Sequence, residues 1–292
     1  IIYNKSMDND NIIYEYPMPD RLVIIGDIHG DIKRFKNILL DAKIINNNIE
    51  WIAEPQNTIV IQMGDQIDSL NRIEDNDWEV LEDIEMLKFT DLLDKIASTK
   101  GGKVISIIGN HEFMNILGNY TYVSAKSIAN NEKRRNELFK PGGQLSKILS
   151  NRPIIIKIGS LLFCHAGLKE SHLFVLQKYN KEIFYLNKLW KTFALTNNIN
   201  NQEDSEIFSK IILDDDGILW TRSLTSGEEL NIVLKNINCN HMFVGHTVVD
   251  SIKLINNNLW YTDTGISRAF GNKSYQYIDI VNNDVSIKTL NN

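Results

Sequence analysis

The chain is poor in cysteine and proline and carries no surplus of positive charge. Its 292 residues include two cysteines and five prolines. Cys164 and Cys239 both lie in or beside apolar strand-like runs, so they read as small buried hydrophobes rather than a disulfide, which fits a reducing compartment. A formal net charge of −6 excludes a general attraction to nucleic acid or to an anionic membrane surface. No apolar run approaches the length of a membrane span, and the residues after Ile1 lack the charged-then-apolar pattern of a secretory signal. The expectation is a soluble, cytoplasmic protein without a nucleic-acid or membrane partner, and anything upstream of Ile1 lies outside this reading.

A hydrophobic content of 43% suffices for one large core. Residues 1–20 are polar and contain Pro17 and Pro19, which predicts an irregular arm ahead of a single domain spanning 21–292. The asparagine tracts Asn46-Asn47-Asn48 and Asn256-Asn257-Asn258 read as turns, because asparagine tolerates positive φ.

Within the domain, apolar runs repeatedly end in glycine and a polar cluster. Leu22-Val23-Ile24-Ile25 leads into Gly26-Asp27-Ile28-His29-Gly30-Asp31, and Phe35, Ile38, Leu39 and Ala42 then recur at helical spacing. Thr58-Ile59-Val60-Ile61-Gln62-Met63 leads to Gly64-Asp65-Gln66-Ile67-Asp68, followed by a long amphipathic helix predicted over 75–98. Val104 to Ile108 leads to Gly109-Asn110-His111-Glu112, completing two βαβ crossovers. The stretch 113–150, with Lys133-Arg134-Arg135 and Pro141-Gly142-Gly143, reads as an irregular rim over the site. Ile154 to Ile158 and Leu161 to Cys164 predict a hairpin that ends at His165. Residues 169–216 have a helical pattern and form an insertion; from Met242 onward, past Gly245-His246-Thr247, short strands suggest a β-meander that completes a second sheet.

A histidine near a strand end is ordinarily a satisfied polar residue, so each cluster alone says little. Five in succession, at strands lying side by side, bring their ligands to one sheet edge. A two-metal phosphoesterase needs a shared carboxylate, mixed oxygen and nitrogen donors, and room for a bridging hydroxide. Asp27 and His29 supply the first metal, Asp65 the bridge, and Asn110, His165 and His246 the second. His111 follows a ligand and stays available as general acid, with Asp68 to orient it and raise its pKa. Arg222 is the favoured phosphate clamp, with Arg268 and Arg72 as further candidates.

These blocks resemble the phosphoprotein-phosphatase branch of the calcineurin-like metallophosphoesterases. That family runs Gly-Asp-x-His-Gly, Gly-Asp-x-x-Asp-Arg-Gly, Gly-Asn-His-Glu, a histidine after a strand, then Gly-His-Thr, and the chain follows this order over roughly residues 22–270. Pro141-Gly142-Gly143, Leu219-Trp220-Thr221-Arg222, Asp263-Thr264-Gly265 and Ala269-Phe270-Gly271 are most similar to the Shewanella-like, bacterial-type phosphatases. The resemblance implies an α/β fold, a four-layer α/β/β/α sandwich with two mixed central sheets. It also implies two transition metal ions (Mn, Fe or Zn), and hydrolysis by a metal-bound hydroxide without a phosphoenzyme. The expected substrate is a phosphorylated protein or peptide; a dinucleoside polyphosphate is the alternative. Ser69-Leu70 stands where the family has Arg-Gly, so one phosphate-binding arginine is missing from its usual place, which also admits a non-catalytic scaffold. Arg72 is the nearest substitute.

Overall fold

The computed structural model describes residues 13–73, 78, 83–224 and 227–291. Two sheets carry the molecule. In the first, β2 (Arg21–Ile25), β3 (Ile59–Gln62) and β4 (Lys103–Ser106) run parallel, joined by α1 (Ile32–Asp41) and α2 (Glu85–Thr99), as the two crossovers predict.

Strand alternation sets the layers. Leu22, Ile24, Ile59, Ile61 and Ile105 point inward, where they pack against Ile156, Ile158, Phe163, Phe243 and Trp260 of the second sheet. Their neighbours Val23, Ile25, Val60 and Val104 point outward onto Phe35, Ile38 and Leu39 of α1 and Met86 and Leu93 of α2. The second sheet contains β5 (Ile155–Ile158), antiparallel to β6 (Leu161–Cys164), which is parallel to β7 (His241–Val244). Its outer face, including Ile155, Leu162, Cys164, Met242 and Val244, is covered by helices. These include α3 (Asn110–Ile116), α4 (Ala125–Phe139), α5 (Gln144–Leu149), α6 (Glu170–Lys178), α7 (Tyr185–Thr196), α8 (Gln202–Ile207), a π-helical stretch Phe208–Leu213, and α9 (Gly227–Asn236). The result is the expected α/β/β/α sandwich.

Three local expectations differ, and a fourth lies partly outside the described residues. Glu15–Tyr16, within the stretch read as an irregular arm, forms β1 and pairs in parallel with β5 at the sheet edge. The stretch 113–150 is mostly helical, not irregular: Ser124 caps α4 by accepting from Ser127 N, and most α4 side chains are exposed, so no apolar stripe marks it. The amphipathic helix is described from Glu85; residues 75–77 and 79–82 of the predicted span lie outside the described residues. The C-terminal strands do not form one meander. β8 (Lys253–Ile255) and β9 (Leu259–Tyr261) stay with β7, whereas β10 (Tyr275–Val281) and β11 (Asp284–Leu290) return to the first sheet, with β10 antiparallel to β2. The buried run Thr262 to Ser267 carries the chain from one sheet to the other.

Candidate metal centre

The loops after β2, β3, β4, β6 and β7 leave the same edge of the sandwich because their strands are parallel within each sheet. Asp27 and His29 leave β2, Asp65 and Asp68 leave β3, Asn110 and His111 open α3 after β4, and His165 and His246 leave β6 and β7. Backbone bonds stitch the loops together. Ile28 N and His29 N donate to Asp65 O at 3.1 and 2.9 Å, and Gly245 N donates to His165 O at 2.8 Å. His246 N crosses between the sheets to Asp27 Oδ2 at 2.9 Å.

Local backbone conformation explains the glycines. His29, Asp65, Asp68 and His246 occupy the left-handed region (φ 41°, 50°, 69° and 60°), a strained choice for residues with a side chain. A Cβ at Gly109 would overlap the Asp65 carboxylate, and one at Gly245 would overlap the Asp27 carboxylate. Glycine before Asn110 and before His246 therefore leaves the space that a carboxylate fills.

All eight residues singled out as ligands or catalytic pair are buried and brought together. Asp65 Oδ2 lies 3.3 Å from His165 Nε2, 3.7 Å from His111 Nε2 and 3.8 Å from His29 Nε2. Two overlapping donor groups result, His29–Asp65–His111 and Asp65–His165–His246, each with its donor atoms within 4.8 Å of one another. Asp65 belongs to both. Asn110 Oδ1 is 3.0 Å from His165 Nε2.

The residues fit a pair of metal ions. Asp27 Oδ1 is buried with no hydrogen-bond partner among the described residues, and such an orphan oxygen is costly unless a cation meets it. The outer nitrogens of three imidazoles face backbone carbonyls: His165 Nδ1 to Met63 O (2.8 Å), His29 Nδ1 to Ile67 O (3.3 Å) and His246 Nε2 to Trp220 O (2.9 Å). Donation there leaves the other ring nitrogen as an acceptor, the arrangement that orients metal-binding histidines. Carboxylate, amide and imidazole donors together suit transition metals.

The electrostatics agree. Burial, then repulsion from Asp263 and Asp65, pushes the Asp27 carboxyl well above its usual range. Burial also pushes Asp65 upward, but His165, His111 and His29 outweigh it and hold it well below. Burial lowers His246 to about 3 and His29 well below an ordinary imidazole, so both are neutral donors at neutral pH. His111 and His165 differ. Burial pulls both down, but Asp65 and the Asp68 bond hold His111 above the ordinary value, and Asp65 does the same for His165.

The arginines divide. Arg72 Nη1 donates to Asp68 O at 3.2 Å and to Leu70 O, and its guanidinium lies between the Tyr122 and Phe270 rings, 5.2 and 5.3 Å from their centroids. Its charge depresses both His29 and His111. Arg222 is exposed at the rim, donating to His246 O at 2.8 Å. Arg268 turns elsewhere: Nε and Nη2 grip Asp31 at 2.8 and 2.9 Å. Ser69, in place of the family's arginine, is wholly buried.

Several residues escaped the sequence reading. Glu112 accepts from Asp65 N, Gln66 N and Gly109 N at 3.0, 2.7 and 2.8 Å, tying two site loops together; its place in the Gly-Asn-His-Glu block was the signal that could have found it. Burial raises the pKa of Asp263 to about 6, beside Asp27. Tyr122 stands 5.0 Å from the His111 ring and Phe270 5.2 Å from the His29 ring, walling the site with aromatics.

Comparison with known proteins decides the family. The calcineurin-like phosphoesterase family model matches residues 20–250. The chain belongs to that family. It is accordingly a phosphoesterase by family, and two of its relatives are named as protein phosphatases. It is 29% identical over 282 residues to Shewanella-like protein phosphatase 1 of Plasmodium berghei, covering 91% of this chain and 70% of that one. It is 24% identical to Shewanella-like protein phosphatase 2 of Arabidopsis thaliana over 62% of this chain and 55% of that one. Among solved structures, the cold-active protein-tyrosine phosphatase of a psychrophilic Shewanella species superposes with a TM-score of 0.78 at 24% identity, over 95% of this chain and 82% of that one. That likeness shows the shared fold. Among the described residues, no helix is long and apolar enough to cross a membrane.

Proposed function

We propose that the chain is a dinuclear-metal protein phosphatase whose two metal ions share Asp65. The supporting observation is the convergence of three imidazole nitrogens within 3.3–3.8 Å of one buried Asp65 oxygen. Asp27, His29 and Asp65 would hold one ion, and Asp65, Asn110, His165 and His246 the other. Two transition metals, manganese, iron or zinc, would supply Lewis acidity at the reacting phosphate when bound.

The remaining steps belong to the chain. Asp68 accepts a hydrogen bond from His111 Nδ1–H at 2.8 Å, which orients the imidazolium so that its Nε2–H protonates the departing ester oxygen. Arg72, whose charge reaches both His29 and His111, takes the phosphate-binding role left open at Ser69, and Arg222 assists from the rim. Arg268 is committed to Asp31 and is assigned no phosphate contact.

Tyr122 and Phe270 favour a flat aromatic leaving group, so phosphotyrosine in a protein or peptide is the preferred ester. The Shewanella neighbour is named as a protein-tyrosine phosphatase, which supports the same reading. The deciding assay compares manganese-loaded protein on phosphotyrosine peptide, phosphoserine peptide and diadenosine polyphosphate. Turnover is expected in that order. Preference for the dinucleotide would make it a nucleotide hydrolase, and silence on all three would make it a scaffold.

A further inference from the structure

We infer that Arg135 is a positioning residue for the proton donor, acting through Asp68 from outside the metal centre. The inference rests on the reading of His111 as general acid. Helix α4 is mostly solvent-exposed, yet Arg135 is buried near its C-terminal end. Its guanidinium faces two buried carboxylates at once: Nη2 donates to Asp68 Oδ1 at 3.0 Å, Nη1 to Asp83 Oδ1 at 2.7 Å, and Nη2 again to Asp83 Oδ2 at 3.2 Å. Nε donates to Asn115 Oδ1 at 2.7 Å, and Asn115 Nδ2 donates to both Asp68 oxygens at 2.9 and 3.0 Å. Asp83 closes the ring by accepting from Asp68 N at 2.7 Å. The rings of Tyr120 and Phe139 flank the guanidinium, 5.8 and 5.0 Å from it.

Asp68 is thereby held on every side except the one facing His111 Nδ1. A carboxylate free to turn would offer His111 a fluctuating partner and let Nε2 swing off the leaving group; the Arg135 fork removes that freedom. The guanidinium is too deeply enclosed to meet substrate, so it is no replacement for the arginine absent at Ser69. Lysine would carry the charge but not the planar fork that spans two carboxylates and Asn115.

The test uses the full manganese-loaded chain. In Arg135→Gln, turnover of phenyl phosphate, a poor leaving group, is expected to fall about tenfold to a hundredfold, while 4-nitrophenyl phosphate falls less than about threefold, because only a poor leaving group needs the proton. Arg135→Lys should recover only part. Adding Arg135→Gln to His111→Asn should cost nothing further. Independently of turnover, in the zinc-loaded, diamagnetic chain, the Nδ1–H proton resonance of His111, shifted downfield by its Asp68 bond, should be present in the native chain and lost in Arg135→Gln. Arg135→Gln with Asp83→Asn removes both charges together, so it decides in the same way where the single variant does not fold. Equal losses on both esters, multiplicative losses with His111→Asn, or an unchanged resonance would overturn the inference. An inactive native chain would instead sink the phosphatase reading, and the resonance alone would then decide the role of Arg135.

Discussion

Asp27 receives the backbone N–H of His246, 219 residues away in sequence, on Oδ2 at 2.9 Å, while its Oδ1 faces no hydrogen-bond partner among the described residues. One oxygen serves the fold and the other is reserved. In metal-free protein this carboxyl, pushed well upward by burial and then by Asp263 and Asp65, is a liability. Asp27→Asn is therefore expected to stabilise the chain in chelator by about 1–2 kcal/mol, while removing most of the stabilisation that manganese gives the native protein. Thermal melting in both media measures the two effects. Equal stabilisation of native chain and variant by manganese would show that Asp27 is not a ligand.

His111 sits in one of the two donor groups, beside His29 and Asp65, so geometry alone admits it as a ligand. Its Nδ1 bond to Asp68 favours the proton-donor role, whereas its upward pKa does not separate donor from ligand, because Asp65 raises His165 in the same way. His111→Asn is expected to retain both manganese ions per chain while turnover drops roughly a hundredfold or more. Metal analysis beside the assay separates the roles, since departure of one ion would make His111 a ligand.

The site was legible because each polar cluster directly follows a buried strand: strand order brings Asp27, Asp65 and Asn110 to one edge of the first sheet and His165 and His246 to one edge of the second. Only the packing of the two sheets, which the expectation of one shared sheet edge did not foresee, joins them. What surrounds the cluster was not legible. Arg135 is the last residue of the run Lys133-Arg134-Arg135, which the sequence places on an irregular rim over the site; only the packing of α4 turns the third inward while its two neighbours stay exposed. Arg72 and Arg268 looked alike in sequence, and their difference is tertiary: Arg268 meets Asp31 across 237 residues, whereas Arg72 is held between two aromatic rings over the site. The return of β10 to β2 was equally hidden, because alternation says which face a strand buries but not which strand it joins.

The three arginines should separate by kinetics and stability. Losing a guanidinium–phosphate contact costs about 1.5–3 kcal/mol, so Arg72→Ala should weaken kcat/KM on an aryl phosphate by roughly ten- to a hundredfold. Arg222→Ala, exposed at the rim, should cost less than about tenfold. Arg268→Ala should leave KM unchanged but lower the melting temperature, because buried Asp31 loses its partner. A KM effect in Arg268→Ala larger than in Arg72→Ala would reverse the assignment.

His172 gives the fold an acid limit apart from the metal centre. Its Nδ1 accepts from Lys169 N and its Nε2 faces Asp216 O, both at 3.1 Å, so the ring is neutral with its proton on Nε2. Burial, only partly opposed by the Asp216 carbonyl, depresses its pKa to about 4, from about 6.5 in an unfolded chain. The unfolded state then binds the proton first. This contribution is complete above pH 6.5 and is lost as pH falls toward 4, on the order of 3 kcal/mol in all. Denaturant titrations across that window should show the native chain losing stability with acid, and His172→Gln, less stable at neutral pH, should show a shallower slope. Parallel slopes would mean that the ring does not titrate on unfolding. The same loop carries Trp220 O, the carbonyl facing His246 Nε2, so acid that loosens His172 should also weaken manganese binding in native protein more than in the variant.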